Sequence, residues 1–102
     1  MADVVTDRAW TFEATLWRDG GWRFVTVPAQ ASDEVDAVVG DATGGFGSVR
    51  VRVQVGATTW LTSVFPSTAH AAYVLPVKKA VRAAEALDEG DTVRVVLRLE
   101  GR

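Results

Sequence analysis

Two segments of this chain alternate so strictly that they leave little choice of structure. Val49, Val51, Val53 and Val55 alternate with Arg50, Arg52 and Gln54, and Val93, Val95, Leu97 and Leu99 alternate with Thr92, Arg94, Val96 and Arg98. Successive side chains of a strand point to opposite faces, so a period of two sets an apolar row on a core and a polar row in water. Strands of this kind need neighbours on both edges and a cover on one face. The rest of the chain has to supply them.

The last quarter of the chain shows the plan most clearly. Residues 77–87 carry Val77, Ala80, Val81, Ala84 and Leu87 at the three-four spacing of one helix face, with Lys78, Lys79, Arg82 and Glu85 on the other. Pro76 suits a helix start, since its φ is preset and its missing N–H would go unpaired there anyway, and Gly90 suits the stop. The charges oppose the helix dipole: cations stand in the first turn, and Asp88, Glu89 and Asp91 lie past the last. Each misplacement costs ~0.3–1 kcal/mol when exposed, so either tertiary partners of opposite sign compensate or the positive end is left free to hold an anion.

Upstream, Trp10, Phe12, Ala14 and Leu16 alternate with Thr11, Glu13, Thr15 and Trp17, predicting a first strand after a polar lead-in over residues 1–9. Arg18-Asp19-Gly20-Gly21 is a tight hairpin, residues 22–27 a second strand closed by Pro28, and Ser32 or Asp33 the cap of a short helix through Val39. Val35, Val38 and Val39 form its apolar stripe, with Asp33, Glu34 and Asp36 near its positive end. A glycine-rich stretch over residues 40–47 leads into residues 48–55, and further strands are expected over residues 58–65 and 72–75. Strand, turn, strand, proline, helix, glycine, strand therefore occurs twice, once with Pro28 and once with Pro76. Two such interlocked β-β-α-β halves predict one mainly β domain with two helices over residues 10–100, a small closed barrel capped by its helices.

At 102 residues with 48% hydrophobic content, the chain can pack a single core. It has no cysteine, which excludes disulfides and thiolate zinc sites, and no apolar run near the ~20 residues that span a bilayer. The N-terminus lacks the pattern of a secretory signal, so a cytoplasmic location is the default expectation. A net charge of −2 weighs against broad nucleic-acid binding, because phosphate contacts need a basic footprint.

Several groups could carry function. Lys78, Lys79 and Arg82 at the second helix start are the sharpest: backbone N–H groups and three cations would converge on a phosphate or carboxylate, against the plainer reading of long side chains lying over apolar surface. Arg50, Arg52, Arg94 and Arg98 would line one surface if their strands are neighbours, unless they pair with Glu13 or Glu100. Trp60, Tyr73 and Trp22 are pocket walls or core. His70 has no second histidine for a metal site and no nucleophile-elbow pattern beside it, and reads as an exposed loop residue. The glycines of residues 40–47 lead into a strand rather than a helix, unlike a phosphate-binding loop, and the acidic group 88–91 lacks the ligand spacing of a calcium loop. No catalytic, metal or cofactor constellation is visible.

The run Trp60-Leu61-Thr62-Ser63-Val64-Phe65-Pro66, then Tyr73-Val74-Leu75-Pro76-Val77-Lys78, Val81-Arg82 and Gly90-Asp91-Thr92-Val93, resembles the bacterial domain-of-unknown-function family 1905. Trp22-Arg23-Phe24-Val25 with Pro28, and Phe46-Gly47-Ser48-Val49, extend the likeness to about residues 10–100. The resemblance implies a double-split β-barrel, the fold class of swapped-hairpin transcription regulators and antitoxins, and no activity, cofactor or catalytic residue. The expectation is a non-catalytic binding module for a small anionic ligand or a protein partner. The alternative, by fold analogy alone, is a dimeric regulator that contacts nucleic acid; an enzyme built on His70, Lys78 or carboxylates comes third.

Overall fold

The computed structural model describes residues 9–39 and 47–100. The polar lead-in up to residue 8 and the glycine-rich stretch 40–46 lie outside the described residues. In chain order the elements are β1 (Ala9–Thr15), β2 (Trp17–Asp19), β3 (Trp22–Thr26), α1 (Ala29–Val39), β4 (Val49–Val55), β5 (Thr58–Ser67), β6 (Ala72–Pro76), α2 (Lys79–Ala84) and β7 (Thr92–Leu99). The strands form one seven-stranded sheet in the order β1-β7-β4-β5-β6-β3-β2, and every pairing is antiparallel.

The period-two rows decide which face is inside. Val49, Val51, Val53 and Val55 are buried along β4, and Val93, Val95 and Leu97 along β7, with the residues between them largely exposed. Val25 on β3, Val64 on β5 and Leu75 on β6 join them, and α1 adds Ala31, Val35 and Val39. Each fully buried valine or leucine contributes about 1.5–3 kcal/mol relative to exposure, so this continuous row sets the register.

The repeated order of elements is visible in the pairing. β5 runs along β4 through Val64 and then along β6 from Phe65, so one ten-residue strand serves both ends of the sheet. β1 and β2 do the same in the first half, with β7 and then β3, but the strand is interrupted at Leu16. There the backbone bonds instead to the turn after α2: the Leu16 amide donates to the Asp91 carbonyl at 2.9 Å, and the Gly90 amide to the Leu16 carbonyl at 2.8 Å. The mainly β fold with two helices is as expected, but the closed barrel is not. The curled sheet is a half-barrel whose two edges are β1 and β2.

Both helices depart from their predicted limits. α1 begins at Ala29, directly after Pro28, so Ser32 is not its cap and Asp33, Glu34 and Asp36 lie within it rather than at its positive end. Ser32 is buried instead: its Oγ donates to the Val27 carbonyl at 3.1 Å and accepts from the Tyr73 amide at 3.0 Å, tying α1 to the end of β3 and to β6. Val38, expected in the apolar stripe, is exposed. α2 has six residues and buries only Val81, because Pro76 still belongs to β6 and the Val77 amide donates to the Arg23 carbonyl at 2.9 Å, extending the sheet. Ala86, at φ 55°, ends the helix in the left-handed region before Gly90 is reached.

Candidate functional site

The outer face of the β2-β3-β6-β5 end differs in chemistry from the rest of the surface. The two-residue turn Gly20-Gly21, with Gly20 at φ 61°, sets Asp19 opposite Trp22 and Trp17 opposite Phe24. All four therefore share one face. Phe24 lies opposite Pro76 and Thr26 opposite Val74, and Val74 in turn lies opposite Phe65, so that face carries an apolar surface across four strands. Val25 and Leu75, one residue on, point into the core.

The rings on this face form a stack. The centroids of Trp17 and Phe24 are 4.8 Å apart at 29°, and those of Phe24 and Trp22 are 6.1 Å apart at 18°. His70 stacks on the other side of Trp17 at 4.6 Å and 25°. Offset packing of this kind suits the ring quadrupoles. Two polar contacts hold it: the Trp17 Nε1–H donates to Thr26 Oγ1 at 2.9 Å, and His70 Nδ1 shares a 2.9 Å hydrogen bond with Ser67 Oγ. His70 is brought in by the tight β5–β6 turn, where its amide donates to the Ser67 carbonyl at 3.3 Å and Ala71 takes φ 52°.

Between the stack and this turn lies an open pocket of about 550 Å³, bounded by Trp17, Trp22, Phe24, Phe65 and His70, with Asp19 at one side. That volume is within the ~300–1,000 Å³ of small-molecule sites. Trp22 is 65% exposed and Phe65 45% exposed, large apolar side chains that the fold leaves uncovered. Across the wall made by Pro66, Ser67 and Thr68 is a second hollow of about 290 Å³, bordered by Asp33, Asp36 and Tyr73. There the Tyr73 hydroxyl donates to Asp36 Oδ1 at 3.2 Å. Burial, and then the charge and hydrogen bond of Asp36, push the Tyr73 phenol above its ordinary pKa.

The residues singled out from the sequence fall elsewhere. Lys78 is the N-cap of α2 with no side-chain cap bond, while Lys79 and Arg82 border a shallow depression that also holds Asp88. The Arg82 Nε donates to the Val77 carbonyl at 3.1 Å, so part of its fork is already engaged. The strands of Arg50, Arg52, Arg94 and Arg98 are neighbours, and Arg52 stands directly opposite Arg98, but Arg52 also pairs with Glu100 at 3.4 Å. Trp60 and Tyr73 are both buried; Trp60 belongs to the core, and Tyr73 reaches the second hollow with its hydroxyl. Trp22, read as core or wall, is a wall, and His70, read as an exposed loop residue, is exposed and in addition bonded to Ser67 and stacked on Trp17. Phe24, Phe65, Trp17 and Asp19 went unmarked, although Trp17 already stood on the polar side of the first alternation and the double glycine implied its partner.

Among the described residues no helix is long and apolar enough to cross a membrane, and no three or more acidic or histidine side chains gather as metal ligands. No curated protein matches the chain. A family model described as Domain of unknown function (DUF1905) matches residues 12–97, a span that takes in both halves of the duplicated plan and every residue of the aromatic pocket. The chain belongs to the DUF1905 family.

Proposed function

We propose that the protein is a non-catalytic binding module whose seat for a small molecule is the aromatic pocket on the outer face of β2, β3, β5 and β6. The observation that supports this reading is the ring stack of Trp17, Phe24 and the largely exposed Trp22, closed on one side by His70. Burying an exposed tryptophan and phenylalanine beneath a ligand gains the hydrophobic term that the fold itself leaves unused. The bond from Trp17 to Thr26 and the cross-strand register fix the inner rings of the stack, which reduces the ordering entropy lost there on binding.

The test is a thermal-shift screen of small molecules on wild type and Trp22→Ala. A ligand present at ~100 times its dissociation constant adds about 2.7 kcal/mol, a rise of several degrees in a domain of this size. Compounds that stabilise wild type and lose their effect in the variant support the reading. Stabilisation that survives the variant unchanged moves the seat elsewhere.

A second reading, contact with a polyanion through β4 and β7, draws on Arg52 and Arg98 standing opposite one another, since like charges in that position are unfavourable in a sheet. It requires that binding to short duplex DNA weaken steeply with salt and fail in Arg52→Glu. The pairing of Arg52 with Glu100 and the net charge of −2 weigh against it.

A further inference from the structure

The charges around the pocket bear on what kind of molecule it takes. Among the described residues Asp19 is the one carboxylate at its border, and no lysine or arginine lines it. The adjoining hollow behind Pro66, Ser67 and Thr68 adds Asp33 and Asp36, so the same sign prevails on both sides of the β5–β6 turn. The nearest cations on the hairpin are directed elsewhere: Arg18 pairs with Glu89 at 3.6 Å, and Arg23 turns to the Trp22 carbonyl at 3.4 Å. Among the described residues the other arginines lie on β4, β7 and α2. Aromatic faces carry the negative part of the ring quadrupole, and a cation over them is attracted to it. A site made of such faces and a carboxylate repels anions and favours positive charge.

Resting on the reading of this pocket as the ligand seat, we infer that its ligand is a small organic cation with apolar substituents, of the quaternary or alkylated ammonium class, held over the exposed ring of Trp22 with Asp19 balancing its charge. Apolar substituents are needed because most of the border is hydrocarbon, including Phe65, Val74 and Pro76. A bare ammonium or metal ion would lose more hydration than this border returns. The sign is opposite to the one the start of α2 suggested.

Three probes of one shape separate charge from fit: choline, its neutral isostere 3,3-dimethylbutan-1-ol, and the anion 3,3-dimethylbutanoate, each titrated calorimetrically into the full chain. Choline is expected to bind about two- to fivefold more tightly than the alcohol, the margin of an exposed cation–π site, and the anion most weakly. Asp19→Asn is expected to narrow the gap between choline and the alcohol, and Trp22→Leu, which keeps apolar bulk without a ring face, to abolish it. If the alcohol or the anion binds as tightly as choline, the inference about charge is overturned while the pocket stands as an apolar seat. If no probe binds wild type, the charge inference is overturned, and the screen with Trp22→Ala decides separately on the seat.

Discussion

Replacing Ser32 with alanine should cost far more than a serine in an exposed helix would. The hydroxyl serves two backbone groups at once, accepting from the Tyr73 amide at 3.0 Å and donating to the Val27 carbonyl at 3.1 Å, in a side chain that is only 4% exposed. Neither group gains a new partner when the hydroxyl goes, and a buried donor left unsatisfied costs ~1–3 kcal/mol. Alanine returns up to ~0.5 kcal/mol of helix propensity within α1. The balance is about 1–2 kcal/mol of destabilisation, or roughly 4–16 °C in melting temperature for a domain this small. Urea and thermal unfolding of Ser32→Ala measure it, with Asp33→Ala as the control, since Asp33 is exposed inside the helix and its loss should be neutral or slightly stabilising. If Asp33→Ala were the damaging change and Ser32→Ala the silent one, α1 would begin at residue 33 and its tie to β6 would be wrong.

Three further outcomes follow from particular contacts. Tyr73 is the chain's one tyrosine, so its tyrosinate absorbance titrates alone, and it should ionise above the ordinary range, with Asp36→Asn bringing it part of the way back. Because the folded pKa is the higher one, this contribution to stability is complete below the unfolded value and declines as pH rises through the folded one; Tyr73→Phe should flatten that alkaline limb of the stability curve. Gly56→Ala places a Cβ against the Glu85 carboxylate at a φ of 57°, in the left-handed region that costs other residues ~1–2 kcal/mol. Its destabilisation in urea unfolding should be smaller in a Glu85→Ala background, although Glu85 also accepts a 2.6 Å bond from Thr58 Oγ1. Trp22→Ala should change stability by no more than about 0.5 kcal/mol, since the indole is largely in solvent; a large loss in thermal unfolding would mean that Trp22 belongs to the fold rather than to a site.

The alternating rows of β4 and β7 were legible because period two has no competing explanation over seven or eight residues. The order of elements was legible from Pro28, Pro76 and the glycine turns. Helix ends were not. The spacing from Val77 to Leu87 fits a helix as well as it fits the actual mixture of strand end, six-residue helix and left-handed turn, and the capture of the Val77 amide by Arg23 is a tertiary event. Ser32 looked like a cap because serine commonly is one, and only burial shows it as a tether. The pocket was half legible. Trp17 and Trp22 lie on either side of a two-residue turn whose register can be written down, but the approach of His70 across β6 and the uncovered state of Phe65 depend on how the sheet curls. Closure of the barrel was not legible, because it depends on how far the whole sheet curls and no local alternation records that.

The most direct test of the pocket uses the four tryptophans as their own controls. Indole Nε1–H resonances of the full chain are followed by 1H–15N correlation while the tightest of the three shape-matched probes is added to saturation. Trp17 and Trp22 border the pocket, Trp10 holds the Glu34 carboxylate from β1 at 2.7 Å, and Trp60 is buried in the core. The account predicts saturable shifts at Trp17 and Trp22 with Trp10 and Trp60 unmoved. Saturable shifts at Trp10 or Trp60 with Trp17 and Trp22 still would contradict it and place the ligand seat on another face of the sheet.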